Sequence, residues 1–317
     1  MDILCMCPAN YTSGGPETLH KLVSDLNKVE GVNAKLLYVG KNLQNPQPDA
    51  YKNYACPYVT EMPRGYRGVV IIPEIWANSI ISDEYRNCTK VIYWLSVDNY
   101  KIRVRKEDEG IFTKDKSILH MVQSLYVKEY VYGIGATQVF EISEPVNEEF
   151  FKPYEESTRS DVILYNPNKM TKFEEQIIKE AEVYEGMKFE PLIGLSLQQM
   201  AEKLRSHKLY IDFGPFPGRE RIPREAVLSG CCLITGKNGA SMYFEDVSIL
   251  SKYKFESESS IRDIITTMKY VLAHYSMVRQ DFDFFRSKLI KERAELPIKI
   301  KDLVEVLNEI QHNHTSI

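Results

Sequence analysis

The chain has 317 residues, enough for two domains that each bury a core, and its 40 basic and 44 acidic side chains leave a formal charge of −4. That balance excludes a nucleic-acid protein driven by bulk charge, so a polyanionic ligand has to meet a local cationic patch. The opening MDILCMCPAN lacks a basic start, and no apolar run approaches the length of a membrane span, so neither a signal peptide nor a transmembrane helix is expected.

In chain order, Asp2–Cys7 reads as a strand, and Pro16–Lys28 as a helix with Leu19, Leu22, Val23 and Leu26 on one face. Strand-like runs recur at Ala34–Val39, Val69–Pro73, Val91–Leu95, Ile118–Val122 and Gln138–Ile142, with helical stretches near Asn78–Tyr85 and Leu125–Tyr132. Short apolar runs alternating with helical patterns predict a parallel sheet covered by helices on both faces. Glu144–Ser160 is polar and acidic with two prolines, and reads as a hinge. A second cycle follows: strand Val162–Tyr165, helix Phe173–Tyr184, strand Lys188–Glu190, helix Leu197–Arg205, then a strand, helix and strand within Lys208–Ala240, and a helix at Ile261–Tyr275. The tail Asp281–Ile310 is helical by composition with an expected break at Pro297. The predicted organisation is an α/β domain over 1–150, a second over 151–285, and a helical tail over 286–317.

The six cysteines, Cys5, Cys7, Cys56, Cys88, Cys231 and Cys232, include no CxxC pair and no histidine neighbours at zinc spacing, so they read as reduced core residues of a cytoplasmic protein. His20 falls within the first helix and His120 within an apolar strand, where a hydrogen-bonded structural histidine is the expected outcome.

Chemistry gathers in the loops at strand ends, where ligands of parallel α/β sheets bind. Gly14 and Gly15 in YTSGGPE allow close backbone approach at a helix start, which suits a phosphate or a sugar hydroxyl. After the first strand of the second half, YNPNKMTK supplies Asn166, Asn168, Lys169 and Lys172 as groups able to reach a diphosphate. GPFPGRERIPRE places Arg219, Arg221 and Arg224 in a constrained loop, a candidate phosphate clamp, followed by Glu225 in the expected first turn of a helix. There Glu225 either stabilises the helix start or accepts from the vicinal hydroxyls of a ribose. KNGAS offers Gly239, Ala240 and Ser241 as an anion nest. In YWLSVDNY, Asp98 follows a strand and is a candidate general base, or else a turn residue. The segment KIRVRK, Lys101–Lys106, reads either as an edge strand protected by charge or as a contact for anionic head groups.

Three segments together, Ser13–His20 (SGGPETLH), Tyr165–Pro167 (YNP) and the block Tyr210–Ala226, resemble GT-B glycosyltransferases. The likeness is greatest to a GT4-like group of bacterial surface-polysaccharide (capsule or O-antigen) proteins. The resemblance implies two Rossmann-like domains facing a central cleft. The donor, a nucleoside-diphosphate sugar with uridine as the expected base, would sit on the second domain, and a glycan or polyprenyl-diphosphate-linked acceptor on the first. It implies no cofactor and no tightly bound metal; peripheral contact with the inner face of the plasma membrane is the expectation from Lys101–Lys106, and the absence of a nucleic-acid partner that from the charge balance. Glu225 corresponds to the ribose-binding glutamate of retaining members, Lys169 and Lys172 loosely to the diphosphate-gripping pair, and Gly14–Gly15 to the loop over the donor phosphates. The first glutamate of the usual pair would fall at position 217, which is Pro217. That departure keeps a catalytically silent GT-B subunit alive as an alternative, beside a nucleotide-sugar epimerase on the same fold.

Overall fold

A computed structural model describes residues 1–155 and 158–315; the remaining positions of the expected hinge and tail lie outside the described residues. The chain forms two compact units, Met1–Glu144 together with the chain from Glu295 onward, and Pro145–Ala294.

The first unit holds seven strands, β1 (Asp2–Pro8), β2 (Asn33–Val39), β3 (Tyr58–Val59), β4 (Val69–Pro73), β5 (Thr89–Trp94), β6 (Leu119–Val122) and β7 (Gln138–Glu141), paired in the order β3-β2-β1-β4-β5-β6-β7. Its helices are α1 (Gly14–Leu26), α2 (Val97–Arg103) and α3 (Leu125–Gly133). The strands are apolar at nearly every position because both faces are covered. Ile3, Cys5, Leu36, Tyr38, Val69, Ile71, Val91 and Tyr93 share a core with α1, while their neighbours Leu4, Met6, Leu37, Val70, Ile72, Ile92 and Trp94 pack with Val97, Tyr100, Phe112, Val127 and Val131 on the other face. Ser96 and Ser124 cap α2 and α3 by accepting from the amides of Asn99 and Val127.

The second unit holds β8 (Ser160–Tyr165), β9 (Phe189–Pro191), β10 (His207–Asp212), β11 (Cys232–Gly236) and β12 (Lys254–Phe255), ordered β12-β11-β10-β8-β9. Its helices are α4 (Lys172–Glu185), α5 (Leu197–Arg205), α6 (Arg221–Leu228), α7 (Ile261–Ala273) and the short α8 (Tyr275–Val278). Every pairing among the described strands of both sheets is parallel. A final helix, α9 (Asp283–Thr315), starts in the second unit and carries Ile300, Leu303, Val304 and Leu307 into the core of the first, against the α1 face of the sheet.

Each sheet contains one point where the strand order reverses. In the first, the chain lays β2 and β3 on one side of β1 and returns to place β4 on the other; in the second, β9 lies on one side of β8 and β10 on the other. Loops leaving the carboxyl ends of the two strands on either side of such a reversal part company and leave a crevice.

Several expectations are corrected. Asn78–Tyr85 is not an α-helix: two 3-10 segments, Glu74–Ile81 and Asp83–Tyr85, fill the region, with Trp76 off helical geometry. Lys101–Lys106 is not an edge strand, since its first three residues are the end of α2, a helix set by the Ser96 cap. The helix from Ile261 stops at Ala273 and restarts at Tyr275. Pro297 lies inside α9 without ending it; a proline removes one donor, and the buried apolar stripe that follows holds the helix together. All six cysteines are free and buried.

Candidate functional site

The reversal in the first sheet opens into a hollow of ≈ 460 Å³, lined by the loop after β1 with the start of α1 (Tyr11, Ser13, Gly15), the loop after β4 (Glu74, Ile75, Trp76), and the loop and helix after β5 (Leu95, Ser96, Asn99, Arg103). Ser13 precedes α1 in extended conformation, and its amide donates to the Tyr51 hydroxyl at 2.9 Å, which fixes the turn. Neither Gly14 nor Gly15 has a positive φ, and a Cβ added at Gly15 would meet only the Leu95 side chain at 3.5 Å. At Gly15, glycine is demanded by neither backbone nor packing.

Glu74 is the carboxylate of this hollow. It is 2% exposed and its Oε2 accepts from the Leu95 amide at 3.0 Å, which ties the loop after β4 to the loop after β5. Burial pushes its carboxyl up to about 7, against the pull of the amides of Leu95, Ser96 and Glu74 itself and of the Arg103 charge. Asp98, the residue expected as general base, stands half-buried in the first turn of α2 and is not among the residues lining the hollow. The two histidines are core residues. His20 meets the Pro16 carbonyl and the Tyr38 hydroxyl, each at 2.7 Å, and His120 accepts from the Trp94 indole at 3.1 Å, with burial lowering its pKa to about 4.

The reversal in the second sheet is closed by contacts between loops. Lys169, after β8, pairs with Glu220, after β10. Gly214 lies so close to that loop that an added Cβ would come 2.6 Å from the Lys169 carbonyl oxygen. Asn166 is buried and its side chain accepts from the Asn168 amide at 3.1 Å, shaping the turn, while Lys172 opens α4 at the surface. Arg224 is buried, and its guanidinium donates to the carbonyls of Glu220 and Arg219 at 3.0 and 3.1 Å, bracing the loop from within. Arg219 donates through one nitrogen, Nη2, to both oxygens of Glu292 at 2.7 Å. Glu225 is the fifth residue of α6, past the first turn where it was expected, because the helix already begins at Arg221.

The KNGAS loop is stitched to the same region. The Asn238 side-chain amide donates to the carbonyls of Phe213 and Gly214 at 3.3 and 3.4 Å. Gly239 takes a left-handed φ of 53°, but the Ala240 amide donates to the Phe216 carbonyl and the Ser241 amide to the Asn238 carbonyl, so these two amides are already engaged. Ser241 is fully buried, its hydroxyl accepting from the Asn238 amide at 2.8 Å.

Beneath these loops lie two buried acids that the sequence reading missed. Asp212 accepts from the Tyr210 hydroxyl at 2.8 Å and the Gly214 amide at 3.1 Å, and burial raises its pKa to about 6. Glu174 accepts the Phe213 amide at 3.3 Å through Oε2 while Oε1 is buried with no partner; burial, then the charge of Asp212, raises it to about 8. The rule that singled out Asp98, a carboxylate just past an apolar run, applies equally to Glu74 after VVIIP and to Asp212 in YID. Nothing in the sequence pairs Glu292 with Arg219, 73 positions away.

No protein-family model matches the chain, and no curated protein matches it. Solved structures do match in shape. Sucrose-phosphate synthase from Thermosynechococcus elongatus superposes with a TM-score of 0.66 at 11% identity, covering 97% of this chain and 99% of that one. HepE from Anabaena, solved with UDP and glucose, gives 0.66 at 12% identity over 98% of this chain and 100% of the other. The lipopolysaccharide outer-core galactosyltransferase WaaB gives 0.61 at 14%, with 93% and 99% covered. At these identities the likeness is one of fold: two parallel sheets with their helices and a long final helix, the GT-B architecture of glycosyltransferases.

Proposed function

We propose that this chain, built on the GT-B fold, transfers a sugar from a nucleoside-diphosphate sugar, with UDP as carrier, to a hydroxyl of a growing surface polysaccharide or lipid-linked glycan. The observation that carries the reading is the second sheet's reversal point, where Lys169, Arg219 and Arg224 converge on one pair of loops with Glu225 on the helix that follows. Basic side chains and helix amides can stabilise a departing diphosphate without a metal ion, and we assign that work to Lys169, Arg219 and Arg224. Glu225 would accept from the ribose hydroxyls. The similar HepE was solved with UDP and glucose, which supports the choice of donor class. Gly14 and Gly15, glycines without a backbone reason, fit close approach of a ligand. We extend the reading to an anionic membrane surface, touched by Lys101, Arg105 and Lys106 around Ile102, which is 82% exposed. Cosedimentation with phosphatidylglycerol vesicles checks that part.

The deciding experiment is a thermal-shift series with UDP, GDP, CMP and UDP-sugars, because a ligand selective for the native state raises its apparent stability. Selective stabilisation by UDP, lost in Glu225→Ala and unchanged by EDTA, is the expected result. A second reading, a silent subunit that binds without turnover, is favoured by the pairing of Lys169 with Glu220 and of Arg219 with Glu292, and by Pro217. UDP binding with neither transfer nor hydrolysis of UDP-sugars would select it.

A further inference from the structure

We infer that a second hollow of the first unit, at the amino-terminal ends of β4 and β5, binds a phosphate monoester through Arg67 and Arg86. This hollow measures ≈ 640 Å³. It is lined by Arg67, Arg86, Asn87 and Thr89 from the segments that enter the two strands, and by Gln311 and His312 near the end of α9. Its size falls within the range of about 300–1,000 Å³ common to small-molecule sites. β5 runs from Thr89 in the wall of this hollow to Trp94, next to Leu95 in the wall of the other, so the two hollows lie at opposite ends of one strand.

Charge selects the ligand. The chain carries a net −4, yet this hollow has two guanidinium groups and no carboxylate among the described residues that line it. Both arginines are exposed, and among the described residues neither side chain has an ion pair or a hydrogen bond. Lys169 and Arg219, by contrast, each face a glutamate. Two like charges at one hollow with no acid between them repel each other, a cost that a bound anion removes. The backbone holds the pair in place. Arg67 follows Tyr66, whose carbonyl accepts from the Cys88 thiol at 3.5 Å, and precedes Gly68, whose carbonyl accepts from the Thr89 amide at 3.1 Å. The segments entering β4 and β5 are therefore stapled on both sides of Arg67, with Arg86 two residues before Cys88. A side chain on Gly68 would collide with the Tyr66 hydroxyl and the Asp2 carbonyl, so this close approach needs glycine. A phosphoryl group offers three acceptor oxygens, enough for two guanidinium forks, whereas a carboxylate occupies one and leaves the other charge uncompensated. The Asn87 amide and the Thr89 hydroxyl add donors for hydroxyls on the substituent. Inorganic phosphate alone leaves most of the volume empty, so an ester fits the space better.

The full-length protein is titrated with glucose 6-phosphate, inorganic phosphate and phosphatidic acid vesicles at an ionic strength held constant with KCl. Thermal shift reads the soluble ligands and cosedimentation the vesicles. The expected result is a saturable response to at least one of the three, with affinity about tenfold weaker in Arg67→Ala and in Arg86→Ala. A response to glucose 6-phosphate identifies a soluble source of the ester, and a response confined to vesicles a lipid headgroup. Both arginines are exposed, so both variants fold. The two variants keep the parent's stabilisation by UDP, and Glu225→Ala keeps the response to the monoester. No saturable response to any of the three, unaltered affinity in both arginine variants, or loss of the response in Glu225→Ala would overturn the assignment. The site does not depend on the transfer reading: a monoester response that Arg67→Ala weakens, beside no effect of UDP, would break that reading and leave the site standing.

Discussion

The two sheets reverse their strand order in the same way and use the result differently. In the first unit the loops after β1, β4 and β5 leave a hollow, its wall tied by the hydrogen bond from the Leu95 amide to Glu74. In the second unit the loops after β8, β10 and β11 are drawn together by the Lys169–Glu220 pair, the Arg224 brace and the Asn238 amide. Topology makes a crevice available, and the side chains decide whether it is open to a ligand or filled by the protein's own charges. One glycine in each place shows the contrast: Gly15 has room for a methyl group, and Gly214 has none.

The largest effect is expected from the buried acid beneath the second crevice. The folded chain keeps the proton on Glu174 up to about pH 8, whereas an unfolded glutamate loses it near 4.3. Between those values the native state binds the extra proton, so this group's contribution to stability falls as pH rises. Glu174→Gln should therefore gain stability relative to the parent on going from pH 5 to pH 8, on the order of 4 kcal/mol. Parallel denaturation curves at the two pH values check it, and a constant difference would remove Glu174 from the account.

Next is the place where the second crevice is tightest. Gly214→Ala forces a methyl group against a backbone oxygen and should destabilise the protein by about 2 kcal/mol and remove stabilisation by UDP, read from urea denaturation with and without nucleotide. Unchanged stability would show that the loops after β8 and β10 separate freely.

A smaller effect tests whether the ion pair competes with a ligand. Lys169→Ala should weaken UDP binding about tenfold, roughly 1.4 kcal/mol. Glu220→Gln, which releases the lysine, should strengthen it a few-fold at low salt, as calorimetry would show. Weaker binding in both would assign Glu220 to the ligand instead. The smallest effect belongs to the open glycine: Gly15→Ala, in the first turn of α1, should leave stability within about 0.5 kcal/mol while impairing UDP-sugar turnover.

Much of the architecture was legible because burial on both faces writes itself into the sequence. Runs such as VVIIP and CCLIT are short, apolar throughout and bounded by polar or turn residues, as covered strands are, and the change of period between them and the helices gave the α/β alternation. Short polar segments were read less well. KIRVRK alternates like a strand, but the cap on Ser96, five residues before it, commits its first half to helix α2. The cationic residues of the second crevice were recognised by type and by their place after strands. Their partners were not, because Glu220 and Glu292 are surface-like in sequence and gain meaning from the fold alone.

The sequence by itself determined the class of fold and the helical character of the chain's end, since apolar periodicity is a local property; that α9 runs on past Pro297 was decided by the packing of the stripe that follows it. The tertiary structure alone decided that Glu74 is buried at the wall of a hollow while Asp98 is not among its lining residues, and that Lys169, Arg219 and Arg224 in the second crevice already face acceptors. Those are facts about distance between residues far apart in the chain, and a carboxylate's pKa and partners depend on which loops the strand order brings together.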